Sequence, residues 1–451
     1  MSPAHARSVR LRRRHALPGW LAGLALAAGT GTPALADWDD DPWADDPWEE
    51  EEQWLPFEVD GFVELAGGHH LRDNRLLDKD YNLAEARLRL EARGDWRRFD
   101  LRVRGDAVAD QVTEEVRGEL REARVAFPLG QRLDMRVGRQ VLAWGTGDLL
   151  FINDLFPKDF NSFLTGRDED YLQGPSDAVR GTWYGDNVTL DLVWTPVFEP
   201  DDYPDGERLS FFSFDPNNMR RTVDAPRTDD PETFPDDGEL AARLTHRIGS
   251  AELAGYFYRG FFPQPEQQLD NGRVTHARLN AYGASIRDRI GPGIANAEVG
   301  YYDSVDNRDG DRSGDVPNSE ARLLLGYTWE AVTNLDVGLQ YYLEWLQDHD
   351  DLESAWKDQN RDIDRLPEEY RQVVTTRLTY SMWRDNLTWS LFAFYSPDDA
   401  DYYLRPSVRY RASDALTYSV GGNLFGGDNE HTFYGQFERD SNLYARVRYR
   451  F

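Results

Sequence analysis

Apolar and polar residues alternate along most of this chain. Phe99, Leu101, Val103, Gly105 and Ala107 oppose Arg98, Asp100, Arg102, Arg104 and Asp106, and a period of two places the sets on opposite faces of a β-strand. The preceding segment sets Ala86, Leu88, Leu90 and Ala92 against Arg87, Arg89, Glu91 and Arg93, so that Gly94-Asp95-Trp96-Arg97 between them predicts a tight hairpin. The chain ends the same way, with Leu443, Ala445, Val447, Tyr449 and Phe451 alternating with Tyr444, Arg446, Arg448 and Arg450. Turn residues recur near Pro128-Leu129-Gly130, Gly185-Asp186-Asn187, Gly249-Ser250, Gly291-Pro292-Gly293, Val332-Thr333-Asn334, Arg384-Asp385-Asn386 and Ser413-Asp414. Between these turns lie longer, more acidic connections, such as Gly145 to Ser176, Phe198 to Gly238 and Gln347 to Glu368. The punctuation implies about 18 antiparallel strands, with 16 as the alternative, and an even number returns both ends to one side.

A strand with one oily and one charged face suits either the edge of a soluble sheet or a wall between lipid and water. The charged face here carries both signs on nearly every segment, as a wet lumen does and the outside of a sandwich does not. We therefore expect an all-β fold, a transmembrane antiparallel β-barrel over 57–451, closed because unpaired edges have no water to satisfy them in hydrocarbon. Eighteen strands about 4.8 Å apart and tilted by about 40° give a backbone cylinder of roughly 35 Å, wide enough for an aqueous channel.

Composition agrees. A mean hydropathy of -0.69 and no later run of about 18 apolar residues argue against membrane helices but not against a barrel, which hides its lipid face in alternate positions. Aromatics make up 13% of the chain, as the interfacial girdles of barrels require, and the lack of cysteine leaves pairing and packing to hold the fold. Residues 1–36 read as a secretory signal peptide: Arg7, Arg10, Arg12, Arg13 and Arg14 precede an apolar core, and Ala34-Leu35-Ala36 offers a cleavage site. Cleavage moves the formal charge from -30 to -35, which disfavours nucleic acid as a partner.

A strand ending on Tyr449 and Phe451 resembles the terminal signal of bacterial outer-membrane barrels, which implies recognition by the barrel assembly machinery and a location among outer-membrane lipid and lipopolysaccharide, with both termini periplasmic. Val137-Gly138-Arg139-Gln140-Val141-Leu142-Ala143-Trp144-Gly145 resembles the G-R-Q-x-x-x-W-G signature of a poorly characterised family of proteobacterial outer-membrane barrels associated with RND-type permeases. More loosely it is similar to a strand of alginate-export and porin barrels. The resemblance implies the barrel fold and says little about solute.

On the expected lumen face arginine recurs at Arg87, Arg89, Arg93, Arg102, Arg104, Arg136, Arg180, Arg243, Arg278, Arg322, Arg377, Arg409, Arg446 and Arg448. One reading is a wall that draws anionic solutes into a porin-like channel. The competing reading is that these residues pair with Glu85, Glu91, Asp100, Asp106, Asp134, Asp191 and Glu252 and only stiffen the wall. The segment 145–176 is too apolar to wave in solvent and is expected to fold inward and narrow the lumen, presenting Asp148, Phe151, Asp154, Phe160, Arg167 and Asp168. The alternative is that it packs on the rim. Residues 37–56 form an acidic, tryptophan- and proline-rich tail, expected to be disordered in the periplasm, with Trp43 and Trp48 available to dock a partner or plug the pore.

Other functions leave weaker traces. A dedicated export or import component for lipophilic or acidic substrates is the second reading, requiring a partner. An enzyme barrel needs an activated nucleophile or water, and His349, between Asp348 and Asp350, is the one histidine with an acid on each side. No cofactor or metal is expected. Asp303 to Asp311 suggests a calcium loop but puts Val305 where a ligand belongs.

Overall fold

The computed structural model describes residues 57–213, 220–269, 271–310 and 315–451, so the expected signal peptide and tail lie outside the described residues. Eighteen strands form one sheet: β1 (Glu58–His70), β2 (Leu83–Trp96), β3 (Phe99–Asp110), β4 (Glu115–Pro128), β5 (Leu133–Val141), β6 (Pro175–Tyr184), β7 (Val188–Thr195), β8 (Glu239–Ile248), β9 (Ala251–Phe261), β10 (Arg278–Ile290), β11 (Gly293–Ser304), β12 (Glu320–Val332), β13 (Leu335–Leu346), β14 (Tyr370–Met382), β15 (Leu387–Ser396), β16 (Asp401–Arg411), β17 (Leu416–Gly427) and β18 (Asn442–Arg450). Each pairs antiparallel with the next, and β18 returns to β1 from His70↔Asn442 to Phe62↔Arg450. The carboxy-terminal residue finishes the seam: Phe451 N–H donates to Gly61 O at 3.1 Å and Gly61 N–H to Phe451 O at 3.0 Å. The barrel has 18 strands, not 16.

Short turns gather at one rim, together with the start of β1 and the end of β18. Their chemistry is local: Asn334 and Asp385 adopt positive φ, as short polar side chains tolerate, and Gly249 and Gly291 do so without steric cost. One turn falls elsewhere than the residues suggest. Gly94 and Asp95 stay in β2, and the chain reverses at Arg97-Arg98, where Arg97 takes φ 58°.

The outward face is apolar and the alternation sets it. Leu443, Val447, Tyr449 and Phe451 are exposed while Tyr444 and Arg446 are buried. Trp96, Trp183, Trp383, Tyr410 and Tyr449 ring the short-turn rim, and Tyr282, Tyr301, Trp345, Tyr370, Tyr395 and Tyr402 the other, with Trp345 and Tyr370 stacked 5.8 Å apart. Such girdles belong at the two interfaces of a bilayer.

The inward face divides into two halves. From β18 round to β8 it carries most of the arginines and their carboxylates, with Arg322, Arg377, Arg405 and Arg409 on the remaining strands. Much of the other half is apolar: Leu279, Leu324, Val373, Phe392, Phe394, Tyr403 and Phe425 point inward and are almost fully buried. Water does not reach them because the 145–176 segment packs there, contributing Ile152, Phe156, Phe163 and Leu164 to one continuous core. The barrel thus has a hydrophobic core of its own inside a charged lumen, where the alternation alone suggests charge on nearly every strand.

Candidate functional site

The signature strand launches the inward loop. Gly138 sits at φ 115°, and a Cβ there would collide with the Ala123 carbonyl, so this step requires glycine. Gln140 is fully buried and its amide donates to Ala178 O at 3.0 Å, holding β5 to β6 where the chain leaves the wall. Trp144 then turns into the core and packs edge-on against Phe156, centroids 5.0 Å apart. Gly145, at φ 85°, brings the backbone against the far wall, where Glu298 of β11 accepts from the N–H groups of Thr146 and Gly147 (3.0 Å) and from the Asn153 amide (3.0 Å). A buried carboxylate with several donors roots the loop on a strand six places round the barrel from its origin.

From that root the loop lies across the lumen. Asp148 N–H donates to the Gln340 side chain at 2.7 Å, and the Asp148 carboxylate accepts from Arg377 at 2.9 Å, although burial still raises its pKa above the usual range. Phe151 lies under the Lys158 ammonium, 4.8 Å from the ring centroid, and Asp154, buried, pairs with Lys158 at 3.1 Å. The short helix α1 (Phe160–Thr165) is capped by Asp159 and lays Phe160 on Tyr203, centroids 4.7 Å apart. Arg167 reaches Glu85 on β2. Asp168 lies between Arg448 (3.0 Å) and Arg446 (3.2 Å), and against the cost of burial these arginines and Arg409 hold its carboxyl below the usual range. Asp148, Arg167 and Asp168 thus meet charged lumen groups, whereas Phe151, Asp154 and Phe160 support the loop from within.

The arginines form tiers in which carboxylates are shared. Asp106 accepts from Arg87 and Arg89, both at 2.6 Å. Glu91 accepts from Arg93 (2.5 Å), Arg102 (2.6 Å) and Arg104 (2.9 Å), and Asp191 from Arg180 (2.6 Å) and Arg243 (2.8 Å). Arg136 and Arg409 have no carboxylate within salt-bridge distance among the described residues. Pairing stiffens the wall, since Glu85 and Glu119 also reach Arg87 and Glu122 also reaches Arg102 and Arg104, yet with Arg136 and Arg409 unpaired the guanidiniums of this set outnumber its carboxylates. Arg278 does not belong to the set: it is exposed on the same face of β10 as Tyr282 and Ile286, and Leu279 takes the inward position.

Three features escape a reading by alternation. A bulge in β4, between Arg104↔Glu122 and Gly105↔Leu120, adds one residue and turns Arg117, Glu119 and Arg121 inward with Glu122. Tyr171, at the loop's far end, then lies beneath three guanidiniums, those of Arg87 (4.3 Å), Arg89 (4.7 Å) and Arg121 (5.1 Å). Part of a second connection, around Arg208 and Ser210, also dips inward, with Arg208 bound to Asp110 and to Asn82 O (2.9 Å), and Ser210 bound to the buried Asp440 (2.9 Å). Its sequence signal is Leu209, Phe211 and Phe212 set around Ser210 in a largely polar connection.

No protein-family model matches the chain, and no curated protein matches it in sequence. Solved structures do match in fold. OccAB3 of Acinetobacter baumannii superposes with a TM-score of 0.53 at 10% identity, over 88% of this chain and 99% of the other. OccK2 (OpdF) of Pseudomonas aeruginosa, solved in complex with glucuronate, gives 0.51 at 11% identity, over 87% and 97%. OccK11 (OpdR) of the same organism gives 0.50 at 12% identity, over 87% and 95%. The likeness is one of fold. It is the fold of an outer-membrane, porin-like barrel.

Proposed function

We propose that this chain is a porin-like channel of the bacterial outer membrane, without a catalytic step, that passes small anionic solutes through a lumen narrowed by the 145–176 loop. Sharing of carboxylates among the lumen arginines carries the reading. A wall of low dielectric with surplus guanidinium charge focuses potential into the passage and favours anions. Arg93, Arg102 and Arg104, still accessible below the loop, offer two-pronged donors suited to carboxylates. The glucuronate held by OccK2 is a solute of that class in a barrel of this fold. In this reading the short-turn rim and both termini are periplasmic, and the long connections face outward. Reconstitution in planar bilayers under a salt gradient tests it: the reversal potential should take the anion-selective sign, and liposomes should swell faster in glucuronate than in glucosamine. Cation selectivity refutes the proposal. A second reading, the outer-membrane component of an export or import system, is favoured by the G-R-Q-x-x-x-W-G resemblance and separates from the first by requiring a co-purifying partner for flux.

A further inference from the structure

The wall of the barrel is uneven in height. β4 begins at Glu115, but β5 pairs with it only from Ala123↔Arg139 to Pro128↔Asp134, because the chain turns inward after Val141 and returns at Pro175. Residues 115–122 therefore have β3 on one side and, among the described residues, no strand on the other. Val116 is 84% exposed, and a side chain at Gly118 would meet nothing within 4 Å. The lipid-facing run is short here: Leu133, Met135 and Val137 on β5, then Arg139, which lies 3.3 Å from the outward Asp177 of β6. Six residues of tilted strand rise about 15 Å, against roughly 25 Å for the apolar band of a barrel. β10, counted from Ile290 to Arg278, rises about 30 Å on the same basis.

An open edge at membrane depth must be covered or line a wet cavity. Arg139 spans this notch: Nε donates to Leu120 O on β4 at 2.8 Å, while Nη1 lies 3.3 Å from Asp177 and Nη2 3.6 Å from Glu199, beyond β7. Behind it is a thin ribbon of the inward loop, closed by Gly174 N–H to Pro157 O (2.8 Å) and Asp159 N–H to Leu172 O (2.7 Å). Immediately inside, Arg121 donates to Gln173 O at 2.6 Å and lies over Tyr171 beside Arg87 and Arg89. The outer banks carry Val116 and Leu120 on one side and Trp194 and Val197 on the other, with Asp177 and Glu199 between them neutralised in part by Arg139.

We propose that the notch is a lateral portal for an amphipathic anion, a long-chain carboxylate whose head is held at Arg121, which among the described residues bonds only backbone carbonyls whereas its neighbours Arg87 and Arg89 are bound to Asp106, and whose tail leaves along Val116, Leu120, Trp194 and Val197 into the outer leaflet. The inference rests on the anionic reading of the lumen. Charge inside and apolar surface outside the same gap fit the two ends of one molecule, and Arg139 latches the gap between passages.

The whole barrel in lipid nanodiscs tests the portal. The chain has no cysteine, so Leu120→Cys takes a single fluorophore at the notch and Ile286→Cys takes one on lipid-facing wall elsewhere. Doxyl-labelled stearate should quench the label at position 120 with a saturable excess over that at 286. Palmitate should displace the excess, and methyl palmitate should compete at least about tenfold less well, the loss expected of charge-assisted hydrogen bonds to the head. Arg121→Gln should abolish the excess. Equal quenching at the two positions, or equal competition by acid and ester, overturns the portal. Equal quenching in a barrel with an anion-selective reversal potential removes the portal and leaves the channel, whereas equal quenching with cation selectivity removes both.

Discussion

Replacing Glu298 by Gln should release the root of the inward loop. The carboxylate is buried and accepts from the Thr146 and Gly147 N–H groups and from the Asn153 amide. Gln keeps the shape but offers one acceptor oxygen and turns an NH2 toward groups that are themselves donors. Hydrogen bonds to a charged acceptor contribute about 1.5–3 kcal/mol each, so losing one such bond and weakening another costs about 3 kcal/mol. That multiplies the ratio of released to docked loop roughly 150-fold. Hydrogen exchange at the Thr146 and Gly147 amides should accelerate by about that factor, and single-channel recordings should show correspondingly more frequent excursions to a larger conductance. Glu252→Gln, which removes an exposed rim pair with Arg247, should change neither. A folded Glu298→Gln barrel with exchange and current traces like the parent refutes the idea that this carboxylate roots the loop.

Other perturbations probe other parts. Burial pushes the Asp201 carboxyl up to about 7, against the pull of nearby Lys158, while Asp154 adds to the rise. Because the docked loop then holds a proton that a released loop gives up, docking should weaken as pH rises from about 4 to 7, and Asp201→Asn should flatten protease sensitivity at 196–238 across that range. Gly138→Ala should cost about 3 kcal/mol, since alanine meets both the positive φ and the Ala123 carbonyl, and urea titration of folded barrel on cold gels would show no loss if the glycine were incidental. Val447→Arg, on the lipid face, should destabilise by about 2–4 kcal/mol near the bilayer midplane, and an effect no larger than that of Tyr449→Arg near the rim would contradict the assigned depth.

The barrel was legible because its strands each obey a simple rule of two faces. The phase fixed by Leu443, Val447 and Tyr449 holds at the seam, where Arg446 and Arg448 turn inward to meet Asp168. The rule fails where something breaks the period or the solvent. At Arg121 a bulge inserts one residue, so Arg117 and Arg121 join a lumen set that alternation with Arg124 cannot predict. At Phe392, Phe394 and Tyr403 the period is intact but the inside is dry, and apolar residues on both faces erase the contrast. The inward character of 145–176 shows in its apolar content; its contacts do not, because Glu298, Gln340, Arg377 and Glu85 lie far away in sequence and belong to strands that closure alone brings near.

These failures share a cause. A loop that crosses a lumen needs a dry face to rest on and a wet face to leave open, so the barrel that holds it must abandon a uniformly polar interior. The half from β8 to β17 supplies the dry face, and the half carrying Arg87, Arg102 and Arg448 keeps charge against the passage. The same departure lowers the wall at β5 and β6, because the residues that would have continued those strands run inward as the loop. The inward loop, the asymmetric lumen and the lowered wall are therefore three consequences of one event at Gly138 to Gly145, and a substitution that returns that segment to the wall should alter all three together.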